Sequence, residues 1–192
     1  AMCAAANFAW CNREMISGEV RTAWRSVFGE GNDLDLLYDV AHNIAKVEEH
    51  TIDGKKQKVI VHRKGATRAF GPGFNELPEA YRPFGQPVLI PGTMGTCSYV
   101  LVGTNIEAAF GSSCHGAGRR MSRRSVKRQV AAPSLQKHMQ GQGIFVTAGS
   151  FKGFAEEAPV AYKDVDLVVE TVHRAGIALK VARLRPVAVV KG

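Results

Sequence analysis

Beyond Phe28 the apolar residues come in short runs closed by glycine or proline, and helical and strand patterns follow one another without a βαβ period. A doubly wound parallel sheet needs that period. The pattern therefore predicts an α+β fold, mixed sheets with packed helices. No run approaches the ~20 apolar residues of a membrane helix. An apolar fraction of 45% is enough to build a core and excludes general disorder. The opening segment has no basic stretch followed by a long apolar one, so it is not read as a secretory signal. Cys3, Cys11, Cys97 and Cys114 form no CxxC pair. They are expected to be reduced thiols in a cytosolic protein, with no structural zinc site.

Spacing predicts a helix over Ala1–Phe28, with Ile16, Val20 and Trp24 on one face and Gly29 and Gly31 ending it. Its small, apolar opening suits tight burial. Leu34–Val40 reads as a strand. Ala45–Ile52 and Lys58–His62 read as a hairpin around Asp53-Gly54. Lys64–Pro87 reads as loop, and Pro87–Ile90 and Tyr99–Val102 as short buried strands. Phe110–Gly118 reads as a small-residue loop. Helices are expected at Arg119–Gln129, Ser134–Gln140 and Asp164–Ala175. Strands are expected at Gly143–Ala148 and over Ala178–Val190, with an interruption at Pro186. No linker splits the chain, so 1–192 reads as part of a single domain.

Charge narrows the function. Lysine plus arginine is 25 against 17 acids, a net charge of +8, which favours a polyanion as partner. The segment His62-Arg63-Lys64-Gly65-Ala66-Thr67-Arg68 concentrates cations at the end of an apolar strand, where an anion site is attractive. Arg119, Arg120, Arg123, Arg124, Lys127 and Arg128 follow one another without an acid, and a merely solvated helix would intersperse glutamate. Pro91–Ser98 combines two glycines with three hydroxyls, a turn that can approach a ligand closely; a plain tight turn is the bland alternative. His115 sits in Cys114-His115-Gly116-Ala117-Gly118, without a bulky neighbour to shield it. A helix starting just after it would aim free N–H groups at a bound anion, which suits a nucleophile attacking phosphorus. His42, alone after an apolar strand, is by spacing more often a hydrogen-bonded structural residue, with Asp39 near enough to orient it.

The segments YDVAHNIAK, VHRKGATRAF, QPVLIPGTMGTCSYVLVG, SSCHGAGRRMSR and the closing RPVAVVKG, with AMCAAANFAW at the start, resemble in order the signatures of the RtcB RNA-splicing ligases. The resemblance implies GTP- and Mn²⁺-dependent joining of a 2′,3′-cyclic phosphate or 3′-phosphate RNA end to a 5′-hydroxyl, as in tRNA splicing and RNA repair. It implies that His115 is the nucleophile that becomes a histidine–GMP phosphoramidate, and that His42 is a manganese ligand. The nucleotide contacts it implies are His42, Asn43, Pro91, Gly92, Met94, Ser98, His115, Ala117, Gly118, Tyr162 and Lys191. Among these, Ser98, Tyr162 and Lys191 would meet the guanine, with Tyr162 stacking. Lys64, Arg119 and Arg123 would hold RNA phosphates.

The family's usual chain is longer. Its first half carries an Asp-x-x-Cys pair, a GNHFxE-type segment and a further histidine, none of which is found here. The expectation is thus the C-terminal half of such a ligase, inactive without the N-terminal half, with tRNA halves or broken RNA ends and GTP as substrates. An archease-type helper is an implied partner. The alternative is a non-catalytic module that binds guanine nucleotide and RNA.

Overall fold

The computed structural model describes residues 1–104 and 107–191, and mixes helices with small open sheets. It divides into two compact units, Ala1–Arg68 and Ala69–Gly192. No proline- or glycine-rich linker marks the division, and the sequence does not announce it.

The first unit begins with the long helix α1, Met2–Phe28. Gly29 ends it at φ 85, a conformation cheap only for glycine, and its N–H closes on the Arg25 carbonyl at 2.8 Å. The expected tight burial of the opening turn does not occur, since Ala6 alone is buried and Phe8 is 76% exposed. Nothing in this unit covers the apolar side of α1, where Ile16, Val20 and Trp24 are exposed.

The expected strand over Leu34–Val40 is absent. That backbone finds no ladder partner and is held along α1 by side chains instead. Arg21 Nε donates to the Leu34 carbonyl at 3.0 Å, and Arg13 pairs with Asp39 at 2.8 Å. The hairpin is as expected: β1, Asn43–Ile52, runs antiparallel to β2, Lys55–Lys64. Its turn is Asp53-Gly54 with φ 50 and 74, the positive pair that matches strand twist. A short strand β3, Ala66–Arg68, closes the unit inside what the sequence reads as loop. Within the hairpin, buried Arg63 forks onto buried Glu48 at 2.7 and 2.9 Å, and His50 Nε2 lies 3.0 Å from the same carboxylate.

The second unit is built on a three-stranded antiparallel sheet in the order β4-β5-β8, made of Pro87–Ile90, Ser98–Gly103 and Ala178–Leu184. Between β5 and β8 in sequence come β6 (Ser112–Cys114), α2 (Arg123–Gln129), α3 (Ala132–Gly141), β7 (Phe145–Ala148), α4 (Phe151–Glu156) and α5 (Val165–Arg174). The last strand, β9 (Ala188–Lys191), pairs parallel with β7. Helix α5 lays Val165, Val169 and Val172 on the sheet residues Val88, Ile90 and Leu101, one apolar cluster. A second cluster gathers Val126, Leu135, Met139, Ile144 and Phe154. Helix α4 was not expected from the sequence: six residues with two apolar anchors are too short to show a period.

Candidate functional site

Two loops of the second unit meet at the candidate centre. Residues 91–97 join β4 to β5, and the middle and the end of this loop are pinned in different clusters. Met94 is buried with Val126, Met139 and Phe154, and Cys97 with Tyr99 and Val165. Met94 thus serves as an anchor of the loop, whatever it touches besides. The turn between is self-bonded: Gly92 N–H donates to Ser98 Oγ at 3.1 Å, and Thr93 N–H donates to Thr96 Oγ1 at 2.7 Å. A Cβ on Gly92 would fall 1.9 Å from the Cys97 carbonyl oxygen, so the backbone closes here only because residue 92 has no side chain. Pro91 is exposed beside it.

The second loop carries His115, which is half-buried just past β6. Its flanks are fixed. Ala117 is buried in the sheet cluster, and Cys114 packs on the same cluster, where burial pushes its thiol pKa up. Gly116 lies next to the first loop, since a Cβ there would approach the Pro91 carbonyl to 3.9 Å. Gly118 turns the chain at φ 80, and its carbonyl accepts from Lys163 N–H at 2.9 Å.

The expected helix directly after His115 is not there. Helix α2 starts at Arg123, capped by Ser122, whose side chain accepts from Ser125 N–H. Arg119 instead bridges antiparallel to Tyr162 in the chain before α5, and the backbone bends over the next two residues, with Arg120 and Met121 N–H groups donating to Ala161 O at 2.8 and 3.2 Å. That pairing holds the backbone out of the helix, so the expected helix N-terminus does not directly follow His115.

It also removes Arg119 and Arg120 from the basic helix. Arg119 lies over the Tyr162 ring, 4.8 Å from its centroid. It donates to the Tyr162 hydroxyl at 2.8 Å and to the Glu156 carbonyl at 2.7 Å. The Tyr162 hydroxyl donates in turn to Glu157, and burial followed by that carboxylate raises the phenol's pKa. The acids missing from the basic run are therefore supplied by the end of α4: Lys127 pairs with Glu156, and Arg123 lies 3.4 Å from it. Arg124 and Arg128 have no carboxylate partner among the described residues. Lys191 ends β9 opposite Ala148, and its side chain lies outside what the structure describes.

The first unit gathers the other expected residues. The hairpin register sets Asn43 opposite Lys64, and the His42 carbonyl accepts from Gly65 N–H at 2.9 Å. His42, Asn43 and Lys64 line a cavity of about 690 Å³ with His62, Trp10 and Arg13. The sequence did not single out Arg13, because only the docking of α1 on the hairpin brings it there. Asp39, expected to orient His42, is taken up by Arg13. Among the described residues no three of His, Cys, Asp and Glu converge as a metal set. The candidate ligand His42 shares its cavity with one other imidazole, His62, and among the described residues these do not make a donor set for a pair of ions.

The model of the tRNA-splicing ligase RtcB family matches residues 1–192. Relatives named tRNA-splicing ligase RtcB include those of Archaeoglobus fulgidus and Thermococcus kodakarensis, each 57% identical over the whole of this chain and 41% of their own length. That of Nanoarchaeum equitans is 54% identical over the same shares. The chain thus spans about two fifths of these relatives. With residues 1–192 all matched by the family model and the signature residues set on two neighbouring loops and a hairpin end, the chain belongs to the RtcB family of tRNA-splicing ligases.

Proposed function

We propose that this chain is the nucleotide- and RNA-holding part of a GTP-dependent RNA ligase that joins 3′-phosphate or 2′,3′-cyclic phosphate ends to 5′-hydroxyl ends. The observation that carries the reading is the seating of His115: a half-exposed imidazole between two core-anchored residues, beside a turn of small residues. A neutral imidazole nitrogen attacks the α-phosphorus of GTP. The new P–N bond forms as the P–O bond to pyrophosphate breaks, and the ring then loses its N–H proton. Pro91, Gly92, Ser98, Ala117 and Gly118 would border the nucleotide, with Tyr162 and Lys191 at the guanine.

Tyr162 already carries Arg119 on its ring, so a base would stack on the opposite side. Arg119 then positions Tyr162, while Lys64, Arg123, Arg124 and Arg128 meet RNA phosphates. His42 would be one manganese ligand, and the remaining ligands would come from the rest of a longer protein. GTP, Mn²⁺, an archease-type helper and the other half are partners in this reading.

The test is intact-mass measurement of a family-length protein carrying this chain, after incubation with GTP and Mn²⁺. The expected result is one added GMP, mapped to His115 and lost in His115→Ala. GMP persisting in that variant overturns the assignment.

A further inference from the structure

A second cavity, of about 720 Å³, opens in the second unit between the β4–β5 loop, the chain before α5 and the end of β8. Neither His115 nor Ser98 lines it; Tyr162 is the one residue it shares with the proposed nucleotide contacts. Its cations come from three separate segments: Arg120, Lys163, and the pair Arg183 and Arg185. Arg183 is already neutralised by Asp166 at 3.2 Å, and Asp164 is used as the cap of α5. Arg120, Lys163 and Arg185 are exposed and have no carboxylate partner among the described residues.

Two of the three are tied through their backbones. Arg120 Nε donates to the Val160 carbonyl at 3.0 Å, and the backbones of Arg120 and Lys163 are tied to Ala161 and Gly118. Those ties begin at Gly118, three residues along the loop from His115. The cavity also offers the hydroxyls of Thr93 and Thr96 and the Gln142 amide, neutral groups that suit ribose and base edges.

We infer that this cavity holds the sugar–phosphate backbone of single-stranded RNA next to the end that reacts at His115, an inference that rests on the RNA-ligase reading. Its volume fits a nucleotide. Three cations spread over three segments follow a strand, whereas a compact polyphosphate is normally cradled by clustered backbone N–H groups.

The experiment measures binding of a labelled single-stranded RNA oligonucleotide to this chain by anisotropy across a salt series. The combined Arg120→Gln, Lys163→Gln and Arg185→Gln variant is expected to lose about tenfold in affinity at moderate salt. Its salt slope should fall by about 2, since each phosphate contact on a single strand contributes roughly 0.7. Arg185→Glu alone, at an exposed position, should lose part of this and serves if the combined variant does not fold. Affinity and slope equal to wild type overturn the inference, as does displacement of the RNA by equimolar tripolyphosphate. GMP attachment to the wild-type, family-length protein is measured separately. If GMP attaches while RNA binding ignores these residues, the ligase reading stands and the cavity assignment falls. If no GMP attaches, the ligase reading itself falls.

Discussion

The guanidinium of Arg119 lies over the ring of Tyr162 and donates to its hydroxyl, so a residue that the sequence offers to RNA is spent on holding an aromatic ring. A charged hydrogen bond contributes ~1.5–3 kcal/mol and a ring contact ~0.5–1 kcal/mol, and the half-buried setting keeps both effective. Arg119→Ala should therefore destabilise the chain by about 2 kcal/mol in urea unfolding and leave the salt slope of RNA binding nearly unchanged. Arg124→Ala and Arg128→Ala together should do the reverse, since neither is paired to a carboxylate among the described residues. An Arg119→Ala slope that falls as far as theirs would return Arg119 to the RNA.

Two glycines should respond oppositely to alanine. Gly18 lies inside α1 with nothing within 4 Å of an added Cβ, so Gly18→Ala should stabilise by about 1 kcal/mol through helix propensity. At Gly92 the added Cβ meets the Cys97 carbonyl at 1.9 Å and must push backbone aside. Gly92→Ala should cost roughly 2 kcal/mol or more, the scale of overpacking in a closed site. Thermal melts of both variants check the sign of each.

Acid stability should depend on Glu48. Burial pushes its carboxyl pKa up, but hydrogen bonds from Arg63 and His50 outweigh this and hold it below the ordinary value. A carboxyl with a depressed folded pKa stabilises the fold above its unfolded pKa, near 4.3, and that contribution is lost as pH falls through the folded value. Glu48→Gln should flatten the acid limb of stability below about pH 4.3. It should also cost about 3 kcal/mol at neutral pH, because buried Arg63 loses the carboxylate onto which it forks. An unchanged acid limb would show that other carboxylates set it.

Tyr99 should ionise well above the ordinary tyrosine value. Its hydroxyl donates to Asp166 at 2.6 Å, and that bond, then burial, pushes its pKa up to about 12. The anionic phenolate would face the aspartate, so Asp166→Asn should bring the titration back toward 10. Spectrophotometric titration of phenolate absorbance reads both proteins.

Metal analysis should find no manganese pair on this chain alone, because His42 has no converging set of ligands among the described residues. Two tightly bound Mn²⁺ per chain after dialysis would show that the ligand set is complete here.

Local signals carried much of this protein. The hairpin was legible because Asp53-Gly54 is a turn that only a few residue pairs can make. Helix α5 was legible because Val165, Val169 and Val172 repeat at the helical period. The family signatures were legible too, since the small residues around His115 form one contiguous run. What the sequence could not decide is which partner a segment finds. Leu34–Val40 has strand character but no ladder to join, and Arg119–Met121 has helical neighbours but is captured by Ala161. The run of cations without acids looked unpaired because its carboxylates, Glu156 and Glu157, arrive from a distant part of the sequence, beyond α3 and β7. Ionic pairs and strand ladders are made across space, so only the tertiary structure could say which cations keep no carboxylate among the described residues.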